Sequence, residues 1–304
     1  MRVQVVTPTV ISTFAGCGGS SLGYKLAGYR ELLAVEWDNN AVETFRLNFP
    51  EVPVYHGDIA ALTGDECMRL AGGIKPGELD VFDGSPPCQG FSTAGKRKFD
   101  DPRNSLFMEY ARLLQELQPK VFVMENVTGM VKGVMKQAYL QIVKTLRECG
   151  YQVKGQVMNA MYYNVPQSRE RVIIIGVRND LGIEPSHPKP QTRPIPAGFA
   201  IGITSLDYDT KGQFSEFNID VKTKPFPTIT KGNRHHFFAD FGEGKRKLTI
   251  QEVQTIASFP AEFRFIGDGE AWERIGNSVP PNLMRAIAEH IDFNILRKSR
   301  VSND

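Results

Sequence analysis

Short runs of apolar, branched residues alternate with amphipathic stretches over residues 1–178. The pattern predicts strands at "TVISTF", "ELLAVEW", "LDVFDGS", "PKVFVMENV" and "RVIIIGVR", with "VYHGDI" extended. Between them "SSLGYKLAGY", "NAVETFRLNF", "NSLFMEYARLLQEL" and "AYLQIVKTLRECG" place apolar residues at helical spacing, the last closed by Gly150 as its cap. Such alternation predicts an α/β fold, a Rossmann-like and mostly parallel sheet with helices on both faces. Near Arg178 the pattern changes. As far as Lys247 the chain is rich in Pro, Gly, Thr and Phe, with short strands expected at "GFAIGI" and "FPTIT". Helical spacing returns in "TIQEVQTIASF" and "NLMRAIAEHIDFNILRK". The expected division is a large domain of residues 1–178 and 248–304 and a small, irregular β-rich domain of residues 179–247.

With 304 residues the chain can bury a large core, and 41% hydrophobic with 23% charged residues places it among soluble globular proteins. No run approaches the ~18 apolar residues of a membrane span. "MRVQVVTPTVIST" lacks the apolar core and cleavage site of a signal peptide, so a cytoplasmic protein is expected. The net charge of +2 does not by itself argue for nucleic acid. Cys17, Cys67, Cys88 and Cys149 form no C-x-x-C pair, which argues against zinc and, in a reducing compartment, against a disulfide framework.

Three elements after the first three strands point to a ligand. "STFAGCGGSSLG" opens the first helix with glycines, among them Gly16 and Gly18, that let backbone approach a ligand at a helix N-terminus. Ser21 stands where a dinucleotide fingerprint needs its third glycine. About twenty residues on, Glu36 ends the second strand, where an acid binds ribose hydroxyls, and Trp37 could stack on a purine. Asp58 could accept from an adenine amino group. An adenosine-bearing ligand is expected, either a dinucleotide or S-adenosylmethionine. The competing reading makes Trp37 a core aromatic and Glu36 a solvated strand end.

Cys88 sits in "GSPPCQGFS", a stiff turn after the fourth strand, where a cysteine is more often reactive than structural. Glu125, Asn126 and Val127 follow the fifth strand, and "QSRER" sets Arg169 and Arg171 alternately on extended backbone. Ligands of open α/β sheets bind beyond the carboxyl ends of the strands. The cysteine and glutamate lie at such ends, and the fold must bring the arginines to the same edge.

"FAGCGG", "PCQ", "ENV", "QSRER" and "GNSV" occur in that order, and together they resemble the cytosine-C5 DNA methyltransferase family of bacterial or phage type. The resemblance spans the chain outside residues 179–247. It implies S-adenosylmethionine as cofactor, held by Phe14, Gly16, Gly18, Glu36, Trp37, Asp58, Ile59, Leu106, Asn277 and Val279. It also implies methyl transfer to carbon 5 of a cytosine flipped out of double-stranded DNA. Cys88 would be the nucleophile at carbon 6, because that addition breaks the ring's aromaticity and leaves an enamine able to attack a methyl sulfonium. Glu125 would donate to N3, a role that favours a carboxyl raised by burial. Arg171 would contact the base oxygen and orient Glu125, and Arg169 would contact backbone phosphate.

Lys96 and Arg97, in the stretch after Cys88, could meet phosphates. Ala94 stands where some relatives fill the gap left by the base, so that task would fall to the small domain. Residues 179–247 correspond to the target-recognition region, where Arg193, Lys231 and Arg234 are candidates for DNA contact, Lys211 is among the further cations, and His235 is either an exposed loop residue or a phosphate contact. A monomer without metal is expected, acting beside a separate restriction endonuclease if one exists. An RNA cytosine methyltransferase and a catalytically silent DNA-binding paralogue stay open. The first is disfavoured by the lack of the Cys-Phe-Thr motif of transfer-RNA relatives, and the second by intact Cys88, Glu125 and Arg171. Ser21 disfavours a nicotinamide oxidoreductase.

Overall fold

The computed structural model describes residues 6–87, 105–208, 219–234 and 236–301. In chain order the elements of the large sheet and its helices begin with β1 (Thr9–Thr13), α1 (Gly19–Leu26), β2 (Arg30–Glu36), α2 (Asn39–Asn48), β3 (Val54–His56) and α3 (Gly64–Leu70). They continue with β4 (Val81–Gly84), α4 (Ser105–Leu117), β5 (Val121–Val127), α5 (Lys136–Glu148), β6 (Tyr151–Asn159) and β7 (Glu170–Arg178). Then come α6 (Ala197–Ile201), β8 (Ser205–Tyr208), β9 (Phe237–Asp240), β10 (Lys245–Lys247), α7 (Ile250–Ile256), α8 (Asp268–Asn277), α9 (Pro281–Ile291) and α10 (Arg297–Val301).

The seven-stranded sheet has the order β3-β2-β1-β4-β5-β7-β6, and β8, β9 and β10 form a separate antiparallel sheet. Strands β1 to β5 pair in parallel, whereas β7 runs antiparallel to both β5 and β6. Near-continuous apolar strands are explained by helices on both faces. Phe82, Phe122 and Met124 pack with Leu113 and Leu114 of α4 and Ile142 of α5 on one face. Val81, Val123 and Ile175 pack with Tyr24 of α1 and Leu283 and Ile287 of α9 on the other. Gly150, in the left-handed region at φ 97°, closes α5 as expected.

The structure differs from the pattern-based expectation at several elements. Tyr151–Asn159 is a nine-residue edge strand that the apolar pattern did not mark. "GFAIGI" is no strand. Ala197–Ile201 is one helical turn, stopped by Gly202 in the left-handed region at φ 73°. Phe226 of "FPTIT" makes only an isolated bridge to Gln167. A third apolar cluster joins the small sheet to the large one. Phe45 and Phe49 of α2 pack there with Phe226, Phe237, Val253 and Trp272.

Candidate active site

The reversal of β7 assembles the site. Arg171 stands opposite Val127 and Ile173 opposite Glu125, so the first residues of β7 meet the last of β5 at one edge. Arg171 Nε lies 2.8 Å from Glu125 Oε1, with both side chains largely buried. Burial pushes the Glu125 carboxyl above its ordinary value, and the charges of Arg171 and Arg169 oppose that rise. The result is an acid held neutral more readily than a surface glutamate, with a fixed orientation.

Asn126, to which the motif assigns no role, has one in the structure. Its Nδ2 donates to Pro86 O at 2.9 Å, tying the end of β5 to the turn that follows β4. The signal was its place beside Glu125, and its partner forty residues back was not readable. Pro86 is thereby tied to the residue next to Glu125 in β5. Cys88, Ala94, Lys96 and Arg97 lie outside the described residues, as do Lys211 and His235.

Arg169 does not fit the phosphate contact expected of it. It is only 2% exposed, and its Nη1 and Nη2 donate to Ile229 O at 2.7 Å and Gly276 O at 2.9 Å. A buried guanidinium needs such acceptors, and with both ends occupied it has no face left for DNA.

At the other end of the site edge the glycine loop is already shaped. Phe14, Gly16 and Gly18 have φ of 53°, 56° and 96°. That is an unusual conformation for Phe14, of the kind that clusters at functional sites. Glu36 holds the loop. Its Oε2 accepts from Gly16 N at 2.8 Å, while Oε1 accepts from Trp37 N at 2.8 Å and Asp38 N at 3.0 Å. Trp37 is no core aromatic, since 74% of it is exposed. Asp58 is exposed and caps the turn Ile59–Ala61 through Ala60 N, with Ile59 buried behind it. Phe14 and Leu106 are half-buried on one apolar cluster.

The segment at 276–279 returns to this loop, as its motif implied. A Cβ on Gly19 would lie 2.5 Å from Val279 O, and Cys17 Sγ is 3.2 Å from Ser278 Oγ. Asn277 is exposed at the end of α8 and Val279 is buried. Burial pushes the Cys17 thiol up to about 11, so Cys17 is a packed, inert cysteine. Cys67 is likewise buried, and its thiol is pushed up to about 12. Among the DNA candidates, Arg193 and Lys231 are exposed and Arg234 is half-buried.

A glycine loop held by Glu36 lies at one end of the sheet edge and a buried glutamate–arginine pair at the other. The C-5 cytosine-specific DNA methylase family matches residues 8–208 and 206–292. The chain belongs to that family. It is an S-adenosylmethionine-dependent DNA cytosine-C5 methyltransferase. The chain is 34% identical to the type II methyltransferase M1.HphI of Haemophilus parahaemolyticus, over 95% of this chain and 88% of that protein. It is 32% identical to M.NgoPII of Neisseria gonorrhoeae, over 95% and 96%. In fold it resembles a prophage-encoded E. coli protein described as a DNA modification methyltransferase, at TM-score 0.75 and 23% identity, over 95% of this chain and all of that one. A Spodoptera frugiperda DNMT2 mutant superposes at TM-score 0.69 with 22% identity, over 97% and 100%. Among the described residues no helix of this methyltransferase is long and apolar enough to cross a membrane.

Proposed function

We propose that this methyltransferase modifies carbon 5 of a cytosine flipped out of a short double-stranded DNA site, through a covalent bond from Cys88 to carbon 6. The observation that carries this reading is the buried Glu125–Arg171 pair joined through Asn126 to the backbone two residues before Cys88. Addition of the Cys88 thiolate forms the carbon–sulfur bond and pushes the electrons of the carbon 5–carbon 6 double bond toward N3. Glu125, whose carboxyl burial raises above its ordinary value, donates there and prevents charge from building up on the ring. Arg171 fixes the Glu125 rotamer and presents its remaining donors to the base oxygen. Once carbon 5 carries the new methyl group, its proton leaves to water and the thiolate is expelled, which restores the aromatic ring.

The residues around the glycine loop suit S-adenosylmethionine. A Cβ on Gly16 would point into open space, Trp37 offers an exposed ring, and Glu36 holds the loop at Gly16 N. Phe14, Glu36, Trp37, Asp58, Ile59, Leu106, Asn277 and Val279 would hold it. When bound, it supplies an electrophilic methyl group. Base reading belongs to residues within 179–247, with Arg193, Lys231 and Arg234 as the foremost candidates. A duplex with 5-fluorocytosine at the target tests the covalent step, since fluorine cannot leave as a proton. A denaturation-resistant complex is expected with the natural chain and none with Cys88→Ala; an adduct in the variant would move the nucleophile elsewhere. The target itself comes from mapping 5-methylcytosine at base resolution after expression in a methylation-free bacterium.

A further inference from the structure

Arg169 stands where three remote stretches of chain meet, and each carries a different task. Its own stretch, residues 167–171, leads into Arg171 and Glu125. Residues 226–234 lead to Lys231 and Arg234, and residues 276–279 carry Asn277 and Val279. The guanidinium spans the last two by donating to Ile229 O and Gly276 O.

The 226–234 segment is fastened along its length. Phe226 N donates to Pro166 O and Ser168 N to Phe226 O, at 2.9 and 2.8 Å. Gln167 Oε1 accepts from Ile229 N at 3.1 Å, and Thr228 Oγ1 donates to Ser168 O at 2.6 Å. From α8, Trp272 Nε1 donates to Thr230 O at 2.9 Å. Gly276 admits the closest approach. A Cβ there would lie 2.5 Å from Lys231 N and 2.6 Å from Thr230 C, which no side chain could tolerate. Asn233 then closes a turn by accepting from Thr230 N at 2.9 Å and donating to Thr228 O at 3.0 Å. Lys231 is left exposed on that turn, and the Arg234 guanidinium lies against Gly269 at the start of α8.

We propose that Arg169 is a positioning residue that couples the 226–234 segment to the 276–279 turn, so that filling the cofactor pocket and engaging the DNA site strengthen one another. The proposal rests on the functional reading above for what each side binds. A planar fork with two donors at fixed separation sets the distance between its two acceptors, which one ammonium cannot do. Burial lowers Arg169 to about 9, so the fork stays charged at neutral pH and the clamp does not titrate in the working range. Whatever shifts the 276–279 turn is therefore felt at Ile229, and the effect is reciprocal by linkage.

The experiment is a thermodynamic box. The dissociation constant of a duplex carrying the mapped site is measured with and without S-adenosylhomocysteine, and that of S-adenosylhomocysteine with and without duplex. The natural chain is expected to show equal enhancement on both sides, by ~5-fold or more. Arg169→Lys should bring the ratio close to one while each ligand alone binds within about threefold of the natural chain. A loss of both affinities with the ratio preserved would make Arg169 merely structural and overturn the proposal, as would an unchanged ratio. If Arg169→Lys does not fold, Thr228→Val loosens the same segment and must lower the ratio, and an unchanged ratio there is equally fatal. A natural chain that binds neither ligand refutes the functional reading, whereas one that binds both without coupling refutes only this inference.

Discussion

The two halves of the sheet edge are built on opposite plans. In the β1–β2–β3 half every strand is parallel, and Phe14, Glu36 and Asp58 stand at or just past the ends of these strands. The loop there is held by one carboxylate, Glu36, accepting from three backbone N–H groups. In the β4–β5–β7 half one strand runs backwards, and the site is held by side chains that pair across it. The first plan suits a cofactor that is exchanged every turnover, since it presents backbone and an exposed ring to solvent. The second suits proton transfer, which needs an acid kept out of water with its orientation fixed.

Substitutions should separate the halves. Cys88→Ala is expected to abolish methyl transfer, and Glu125→Gln to reduce it by ~10²–10⁴-fold in single-turnover assays, as befits a lost general acid. Both should leave cofactor affinity by calorimetry within about threefold. A tenfold loss of cofactor binding in either would mean that the two plans are not independent.

Glu36→Ala attacks the other half. It strands three N–H groups that donate to a charged acceptor, so cofactor affinity should fall ~10–100-fold, given ~1.5–3 kcal/mol for such bonds. The methylated sequence should stay the same. An unchanged dissociation constant would show that the loop needs no carboxylate.

The pH profile sharpens the contrast further. On the proposed reading Glu125 is the proton donor, and burial raises its pKa, so turnover should decline as pH climbs through that raised value. Arg171→Met removes a charge that opposes the rise, so its alkaline limb should lie at higher pH than that of the natural chain, at a lower plateau. A limb moved to lower pH would contradict the assignment of Glu125 as the acid.

The smallest effect concerns stability. Asp83 on β4 is buried, with Tyr24 Oη donating to it at 3.3 Å, and burial followed by the charge of Glu31 pushes it up to about 8. A carboxyl raised on folding is compatible with the fold below its unfolded value of ~3.9 and costs stability as pH rises toward the folded one. Asp83→Asn should therefore melt like the natural chain near pH 4 and higher than it at pH 8. Equal melting temperatures at both would show that Asp83 is not held neutral.

The parallel half was legible because each strand carries its own apolar run and the residues that matter sit at its end. Glu36, Asp58 and the glycines are marked by local pattern alone, whereas Phe14 enters only through the family resemblance. Tyr151–Asn159 escaped because "YQVKGQVMN" is an edge strand with Lys154, Gln156 and Val157 exposed, and β7 rather than its own pattern makes it a strand. "GFAIGI" is apolar enough for a strand, yet Gly202 ends it after one helical turn. The two arginines of "QSRER" looked alike because they share a local pattern. Their partners differ: Glu125 for Arg171, and carbonyls 60 and 107 residues away for Arg169. Such non-local acceptors leave no trace in spacing.

The 226–234 segment is gripped by its main chain: Phe226 through N and O, Ile229 through N and O, Thr230 through O. Peptide groups are the same whatever side chains they carry. Phe226 and Ile229 are fully buried and Asn233 and Thr228 are tied by their side chains, while Lys231 is exposed on the same anchored turn. Such an anchor makes innovation cheap. The exposed letters of this turn can be rewritten, one mutation at a time, on a mount that stays in register with the chemistry.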